Sequence, residues 1–171
     1  PACDQPVDNC LGGAPANVAC GLARLGTTVA FVGRVWCDAI GADFQRLFVQ
    51  RGVDTSTLQL DRSRPTRIVL VRRSGDGERQ FQGFAGDQAD GFADQALQPV
   101  ALPSAARWLL VGTIPLASPQ SAQALLEAVA QARSHGIGLA LDVNWRPTFW
   151  DAAADPAAGP TQAERSAIRF L

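Results

Sequence analysis

The sequence predicts an α/β fold in which a largely parallel sheet is flanked by helices and interrupted by one β-hairpin. Two observations carry this prediction. Strand segments that are apolar and β-branched alternate with helical segments, and one strand–turn–strand unit, at about residues 66–84, breaks that alternation. Such alternation is typical of βαβ units with parallel strands. We therefore expect one α/β domain over residues 1–171, with the hairpin as an excursion from the sheet.

The first third of the chain predicts two helices and two strands. Residues 15–26 open with a proline and stop at a glycine, as helices commonly do. Residues 27–35 are apolar and β-branched, which favours a buried strand. Residues 38–52 carry one apolar stripe and end at a glycine, so they predict a second helix. A short strand is expected near residues 58–60.

The middle of the chain predicts a β-hairpin. Residues 66–73 and 79–84 are strand-like and flank the turn cluster 74–77. Several arginines and two phenylalanines lie on these strands. The hairpin could close over a substrate and exclude water, or it could be an ordinary edge hairpin with solvated arginines. The sequence leaves both interpretations open.

The last third predicts another strand–helix–strand unit. Residues 107–112 and 137–143 are continuous apolar strands, and residues 118–134 between them form an Ala- and Leu-rich helix. Residues 152–160 are rich in Ala, Pro and Gly and predict a loop. A further helix begins at Thr161.

Composition excludes several classes of protein. Hydrophobic residues make up 47% of the 171 residues and charged residues 18%, which is the profile of a soluble globular domain. The formal net charge of -1 argues against nucleic-acid or membrane partners, and all 15 basic residues are arginine. The four cysteines show no CxxC spacing and there is one histidine, so we expect no metal site, reduced thiols and a cytoplasmic location.

A glycine pair that runs directly into the first helix is the first candidate site. Gly12 and Gly13 allow backbone amides to approach a ligand closely, and the helix N-terminus favours electron-rich groups. Asn17, in the first turn, offers a donor and an acceptor to a hydroxyl. The alternative is an ordinary tight turn before a polar helical turn. A P-loop is excluded because the chain has no lysine.

The second candidate site lies at the end of a predicted strand. Asp142, Asn144 and Arg146 share one face if the strand persists, at the carboxyl edge of the sheet where α/β folds bind ligands. Asparagine suits a hydroxyl or phosphate oxygen, and arginine makes two-pronged contacts with phosphate. The alternative is a structural strand end in which Arg146 pairs with Asp142.

In combination and in chain order, these segments resemble the ribokinase (phosphofructokinase-B) family over nearly the whole chain. The matching strings are Gly12-Gly13-x-x-x-Asn17-x-Ala19-x-x-Leu22-Ala23-Arg24-Leu25-Gly26, Phe31-Val32-Gly33-x-Val35-x-x-Asp38-x-x-Gly41, Gly52-Val53, Gly77-Glu78-Arg79-x-Phe81 and Asp142-x-Asn144-x-Arg146-Pro147-x-x-Trp150. The last string is similar to the bacterial and plant fructokinase version of the family, the cyanobacterial form above all.

The resemblance implies a ribokinase-like fold and ATP- and Mg2+-dependent phosphorylation of a neutral sugar, D-fructose to fructose 6-phosphate in the first place. It implies that the hairpin is a lid over the sugar. The residues that it implies for the substrate are Gly12, Gly13, Asn17, Phe81 and Arg146, and those near the phosphate or ATP are Asp142, Asn144 and Arg146. Relatives often carry an aromatic–Arg pair after the hairpin. The pair Phe84-Ala85 found here favours a neutral over an acidic sugar.

Parts of the family pattern have no counterpart in these residues. They are the Gly-Ala-Gly-Asp loop with the catalytic Asp, the Asn-x-x-Glu segment associated with magnesium, and the first strand with its sugar-binding Asp. The resemblance therefore implies that the catalytic base and the main ATP and Mg2+ motifs lie outside this chain, which alone would be inactive. A family kinase for 2-keto-3-deoxygluconate, ribose or a nucleoside, and a non-catalytic sugar-binding remnant, are the alternatives. A homodimer formed through the lid also remains open.

Overall fold

The computed structural model describes residues 10–73, 79–85 and 91–171. In these ranges the α-helices are α1 Ala14–Arg24, α2 Ala39–Arg51, α3 Pro119–Ser134, α4 Pro147–Trp150 and α5 Gln162–Phe170. The strands are β1 Val29–Ala30, β2 Gly33–Trp36, β3 Val53–Asp54, β4 Leu58–Asp61, β5 Ile68–Arg73, β6 Arg79–Ala85, β7 Trp108–Gly112 and β8 Gly138–Asp142. Short 3-10 helices cover Ala93–Ala96 and Ile114–Ala117.

The strands form three parallel pairs and one antiparallel pair. β1 pairs with β3, β2 with β4 and β7 with β8, each in parallel. β5 and β6 form the antiparallel hairpin, with an irregular register between Leu70 and Val71. The predicted α/β class with parallel strands and a hairpin excursion is confirmed. The turn that joins β5 to β6 lies outside the described residues.

The ends of α2 follow from local chemistry. The Asp38 side chain accepts a hydrogen bond from the Gly41 backbone N at 2.8 Å, so it caps the N-terminus of the helix. Gly52 ends the helix in the left-handed conformation, at φ 75°, which glycine adopts without steric cost. The predicted helix over residues 38–52 is therefore confirmed at both ends.

The strand predicted over residues 27–35 is two strands in the structure. The Phe31 backbone N still donates to the Asp54 carbonyl at 3.0 Å, but two residues later the chain has changed partner and Gly33 pairs with Leu58. The Phe31 carbonyl accepts a hydrogen bond from the Thr57 hydroxyl at 2.9 Å, and so bonds to a side chain. The break is therefore an exchange of strand partners, which apolar composition does not reveal.

Two small clusters of buried apolar residues hold the described part of the chain together. The first packs α1 and α2 against β1 and β3, and consists of Ala16, Ala19, Phe48 and Val53. The second packs α3 against β7 and consists of Val111, Leu125 and Val129. Helices that cover parallel strands are the expected arrangement for an α/β layer.

The predicted strands over residues 107–112 and 137–143 are present as β7 and β8, but one side of this pair is exposed in the described part of the chain. Trp108 is 71% exposed and Leu110 is 41% exposed, and both lie on this side. Within the described residues α3 covers the other side, where Val111 is buried. Continuous apolar sequence usually marks a strand that is covered on both faces. Here that sequence feature is not matched by burial.

A buried carboxylate fixes the loop that leads into the hairpin. Asp61 is 1% exposed and accepts from the Arg34 Nε at 2.8 Å, which ties β4 to β2. It also accepts from the backbone N of Ser63 at 2.8 Å and of Arg64 at 2.9 Å. Burial alone would raise the pKa of Asp61, but these hydrogen bonds outweigh burial and hold it well below its ordinary value.

Substitution of Asp61 by asparagine should destabilise the protein by about 3 kcal/mol, because the amide group cannot satisfy both the loop and Arg34. Asp61 has a lowered pKa in the folded state. Its contribution is therefore present above the unfolded pKa of about 4 and is lost as pH falls below that value. Urea unfolding as a function of pH measures both effects, and Asp61→Asn should flatten the acid limb.

Asp43 provides the matched control. It forms an i,i+3 ion pair with Arg46 on the surface of α2, where its side chain is 47% exposed. Exposed pairs of this kind contribute little, so Asp43→Asn should change the free energy of unfolding by less than about 0.5 kcal/mol. Equal effects of the two substitutions would contradict the role given to Asp61.

Candidate functional site

The glycine pair forms the N-terminal end of α1. Gly13 is the N-cap residue at φ 111°, a conformation that favours glycine, and its carbonyl accepts the Asn17 backbone N at 2.9 Å. No side chain caps this end, and Pro15 in the first turn has no N–H to donate. Gly12, Gly13 and Asn17 are all exposed. The structure thus presents the predicted motif to solvent at a helix N-terminus.

Gly12 has no structural reason to be glycine among the described residues. Its φ does not lie in the positive region. A Cβ built on it would meet no heavy atom within 4 Å. A glycine that neither conformation nor packing demands is compatible with close approach of a ligand to the backbone.

The second motif does not continue as a strand. β8 ends at Asp142, the Thr113 hydroxyl donates to the Val143 carbonyl at 2.6 Å, and Asn144 has φ 27°. The strand does not persist beyond Asp142, so the condition under which Asp142, Asn144 and Arg146 would share one strand face is not met. Asn144 is the non-glycine residue with positive φ in the described ranges, and asparagine tolerates this region better than most residues.

Arg146 does not pair with Asp142 in the described structure. Its Nη1 donates to the Trp145 carbonyl at 2.9 Å, and both Arg146 and Asp142 are exposed. The structural alternative for this motif, an Arg146–Asp142 ion pair, is not observed. The two charged groups therefore remain accessible at the carboxyl end of β8.

Two indole rings brace the segment around Arg146. The ring centroids of Trp145 and Trp150 lie 5.4 Å apart, and the Trp145 Nε1 donates to the Ala158 carbonyl at 2.8 Å. The Trp150 Nε1 is buried without a hydrogen-bond partner. These contacts fold the loop that follows α4 back onto the segment before it.

Phe81, the lid residue implied by the resemblance, contacts the same region. Its ring centroid lies 5.1 Å from that of Phe84 and 6.4 Å from that of Phe149 in α4. Since α4 begins directly after Arg146, the aromatic contacts bring the hairpin and the second motif together. Sequence reasoning gave no role to Phe149, and it placed Arg67 only among the hairpin arginines that either close over a substrate or are solvated; in the structure the Arg67 side chain is 10% exposed. The spacing of the phenylalanines in the sequence does not predict that their rings meet; the contacts are seen in the structure.

A cavity of about 220 Å³ lies at this junction of the hairpin and α4. The lining residues that bear on the site are Arg67, Phe84, Phe92, Thr148, Phe149 and Trp150. The glycine motif and Asn144 do not line it. The cavity is therefore framed by the lid base and α4.

The elements that carry the two predicted motifs, α1 and β8, both contact β7. α1 contacts β7, and β8 pairs with β7 so that Asp142 lies beside Gly112. Over residues 10–73, 79–85 and 91–171, no hydrogen bond or ion pair links the glycine motif to Asp142, Asn144 or Arg146.

The described residues contain neither a membrane-spanning helix nor a cluster of metal-binding side chains. No helix in them has the length and apolarity needed to cross a membrane. No group of three or more His, Cys, Asp or Glu side chains in that part of the chain is placed to hold a metal ion.

The homodimer formed through the hairpin stays a prediction. β5 offers it apolar surface, with Val69 and Leu70 each 40% exposed.

Comparison with known proteins identifies the family. Residues 5–163 match the family described as pfkB family carbohydrate kinase. The chain belongs to this family. It is 38% identical to a fructokinase of Escherichia coli over 152 residues, which are 88% of this chain and 48% of that protein. The predicted membership of the ribokinase (pfkB) family, and the likeness to fructokinases, are confirmed.

Solved structures confirm the pfkB fold. The apo fructokinase of Vibrio cholerae O395 matches with a TM-score of 0.77 at 33% identity, over 99% of this chain and 55% of that one. The form of that enzyme with fructose, ADP and calcium ion bound matches with a TM-score of 0.76 at 30% identity, over 99% and 52% of the respective chains. The chain thus spans about half the length of the relatives it matches.

Substitutions at Asn144 should separate backbone strain from side-chain chemistry. Asn144→Ala should destabilise the protein by about 1 kcal/mol, because alanine resists positive φ, whereas Asn144→Gly should leave stability equal or higher. Chemical denaturation of the two variants measures the difference. An alanine variant as stable as the glycine variant would show that the backbone conformation at this residue is not strained.

Proposed function

We propose that this chain is the sugar-binding half of an ATP-dependent kinase that converts D-fructose to fructose 6-phosphate. The observation that carries the proposal is the match of 99% of the chain to about half of a fructokinase whose structure contains fructose and ADP. In that assignment the two exposed motifs are the walls of the sugar cleft and the hairpin is its lid. The catalytic base and the main nucleotide motifs belong to the remainder of the protein.

The glycine wall suits the hydroxyls of a neutral sugar. At the N-terminus of α1 the amides that follow Gly13 lack side-chain caps and can donate to oxygen atoms. The exposed Asn17 amide adds a donor and an acceptor. Gly12 leaves open space beside the backbone. These donors and acceptors suit the hydroxyl groups of a polyol.

The opposite wall suits the reacting end of the sugar and the phosphate. Arg146 is exposed, and among the described residues its hydrogen bond goes to its neighbour's carbonyl. Its remaining donors can neutralise charge on a transferred phosphoryl group, which is the main demand of this chemistry. Asn144 is held beside it in a fixed backbone conformation. ATP would supply the phosphoryl group and Mg2+ would neutralise its charge.

The direction of the elements supports a shared cleft. α1 leads into β1, so the N-terminus of the helix lies toward the carboxyl end of that strand. Asp142 and Asn144 follow the carboxyl end of β8. In α/β folds this edge of the sheet is where ligands bind. Each wall of the proposed cleft therefore lies at the carboxyl end of a parallel strand, the position at which α/β folds bind ligands.

The test is a coupled assay on the whole protein that contains this chain. We expect MgATP-dependent phosphorylation of D-fructose, with weaker activity on ribose, nucleosides and 2-keto-3-deoxygluconate. The 171-residue chain alone should bind fructose without turnover. Turnover by the isolated chain would refute the assignment of the base to the remainder. A preference for another sugar would refute fructose while leaving a sugar kinase.

Gly12→Ala should weaken fructose binding about tenfold, or about 1.4 kcal/mol, because a methyl group would occupy the space left for the ligand. The conformation at Gly12 tolerates alanine, so thermal stability should not fall. Calorimetric titration with fructose measures the loss. Gly21→Ala, on the exposed middle of α1, is the control: it should stabilise the helix by up to about 1 kcal/mol and leave affinity unchanged.

A further inference from the structure

A cluster of side chains that no sequence motif predicts connects the hairpin to α4, which follows Arg146. Arg67, the residue immediately before β5, is at its centre, and its side chain is only 10% exposed. Its guanidinium carbon lies 4.4 Å from the centroid of Phe92, 4.8 Å from that of Phe84 and 4.9 Å from that of Phe149. We call Arg67, these three phenylalanines and Asp94 the Arg67 cluster.

Asp94 balances the charge of the guanidinium and fixes its direction. The Arg67 Nε donates to both carboxylate oxygens of Asp94, at 3.0 and 3.2 Å. The short helix that carries Asp94 is itself held from two sides. The Ser121 hydroxyl donates to the Asp94 carbonyl at 2.7 Å, and the Ala93 backbone N donates to the Pro65 carbonyl at 2.9 Å. Arg67 is therefore anchored on a rigid support.

The aromatic rings of the cluster belong to three different parts of the chain. Phe84 lies on β6 in the hairpin, Phe92 precedes the short helix, and Phe149 lies in α4. The Phe84 ring meets Phe149 edge-on at 5.0 Å and Phe92 at 5.4 Å. A cation among aromatic faces is attracted to each of them, and this attraction strengthens when water is excluded. Arg67 therefore contacts aromatic rings from three separate parts of the chain at once.

We infer that Arg67 is a positioning residue for sugar phosphorylation, which sets the distance between the lid and the segment of Asn144 and Arg146. The inference rests on the proposed function. Phe81 of the lid contacts both Phe84 and Phe149, so a shift of the cluster moves the lid relative to α4. Phe149 is three residues from Arg146, and the two are joined by a backbone hydrogen bond, Phe149 N to Arg146 O, at 3.0 Å.

The kinetic test uses the whole protein with Arg67→Met and Arg67→Lys. Methionine keeps the apolar stem and removes the cation. It should raise the KM for the sugar about tenfold and leave the KM for ATP within about twofold, because the lid covers the sugar. Lysine keeps the charge without the planar group that stacks on the rings, so it should restore part of the loss. Arg107→Met, at an exposed arginine before β7, is the control and should change neither constant.

A double-substitution cycle tests the cluster without any assay of activity. Arg67→Met and Phe149→Leu are compared singly and together for their effect on the Tm of the 171-residue chain. If the two side chains act through their contact, the double variant should lose less Tm than the sum of the single losses. Phe149→Leu should raise the KM for the sugar in the whole protein as Arg67→Met does.

The outcomes separate this inference from the proposed function. If Arg67→Met lowers Tm and the amount of active protein but leaves the sugar KM unchanged, the inference is overturned and the kinase assignment stands. Additive losses of Tm also overturn it. If the unaltered protein phosphorylates a sugar other than fructose, only the fructose proposal fails, and the KM for the accepted sugar decides the role of Arg67. A protein that phosphorylates no sugar overturns both.

Discussion

The geometry of the hairpin base depends on one buried charge. Asp61 ends β4, holds Arg34 of β2 and organises the backbone of the loop that follows it. Five residues later Thr66 accepts the backbone N–H of Trp36 at 2.9 Å, so the loop is bound to β2 at two points. A buried carboxylate is tolerated only where its hydrogen bonds replace water, and Asp61 meets that condition. Strands β2 and β4 therefore fix the residues from which the hairpin starts.

The site combines rigid parts with parts left open for a ligand. Backbone conformation fixes Gly13 and Asn144, whose φ angles are 111° and 27°. Asn17 and Arg146, by contrast, extend exposed side chains from these fixed points. In the proposed function, these preorganised donors on rigid backbone would bind a sugar and a phosphate with little ordering cost. The hairpin, carried on a cluster of aromatic contacts, is the part that can complete the enclosure.

Local chemistry explains which features the sequence could predict. The helix ends at Asp38 and Gly52 and the hairpin follow from capping and turn residues, whose effects act over a few neighbours. The motif of Gly12 and Gly13 is also predictable from the sequence, because a glycine pair that runs into a helix is a local pattern. The break after Ala30, the left-handed Asn144 and the exposed side of β7 depend on which segments meet in space. The aromatic partners of Arg67 could not be predicted for that reason, since Phe92 and Phe149 are distant from it in the chain.

The paired indoles beside Arg146 give the molecule an intrinsic optical probe. Rings whose centroids are 5.4 Å apart couple their electronic transitions, so Trp145 and Trp150 should produce a characteristic near-ultraviolet circular dichroism band. That signal originates from the loop and helix that follow β8 rather than from the whole fold. Trp108 is far more exposed and should emit at longer wavelength. Circular dichroism can therefore follow the segment around Arg146 selectively, without any attached dye.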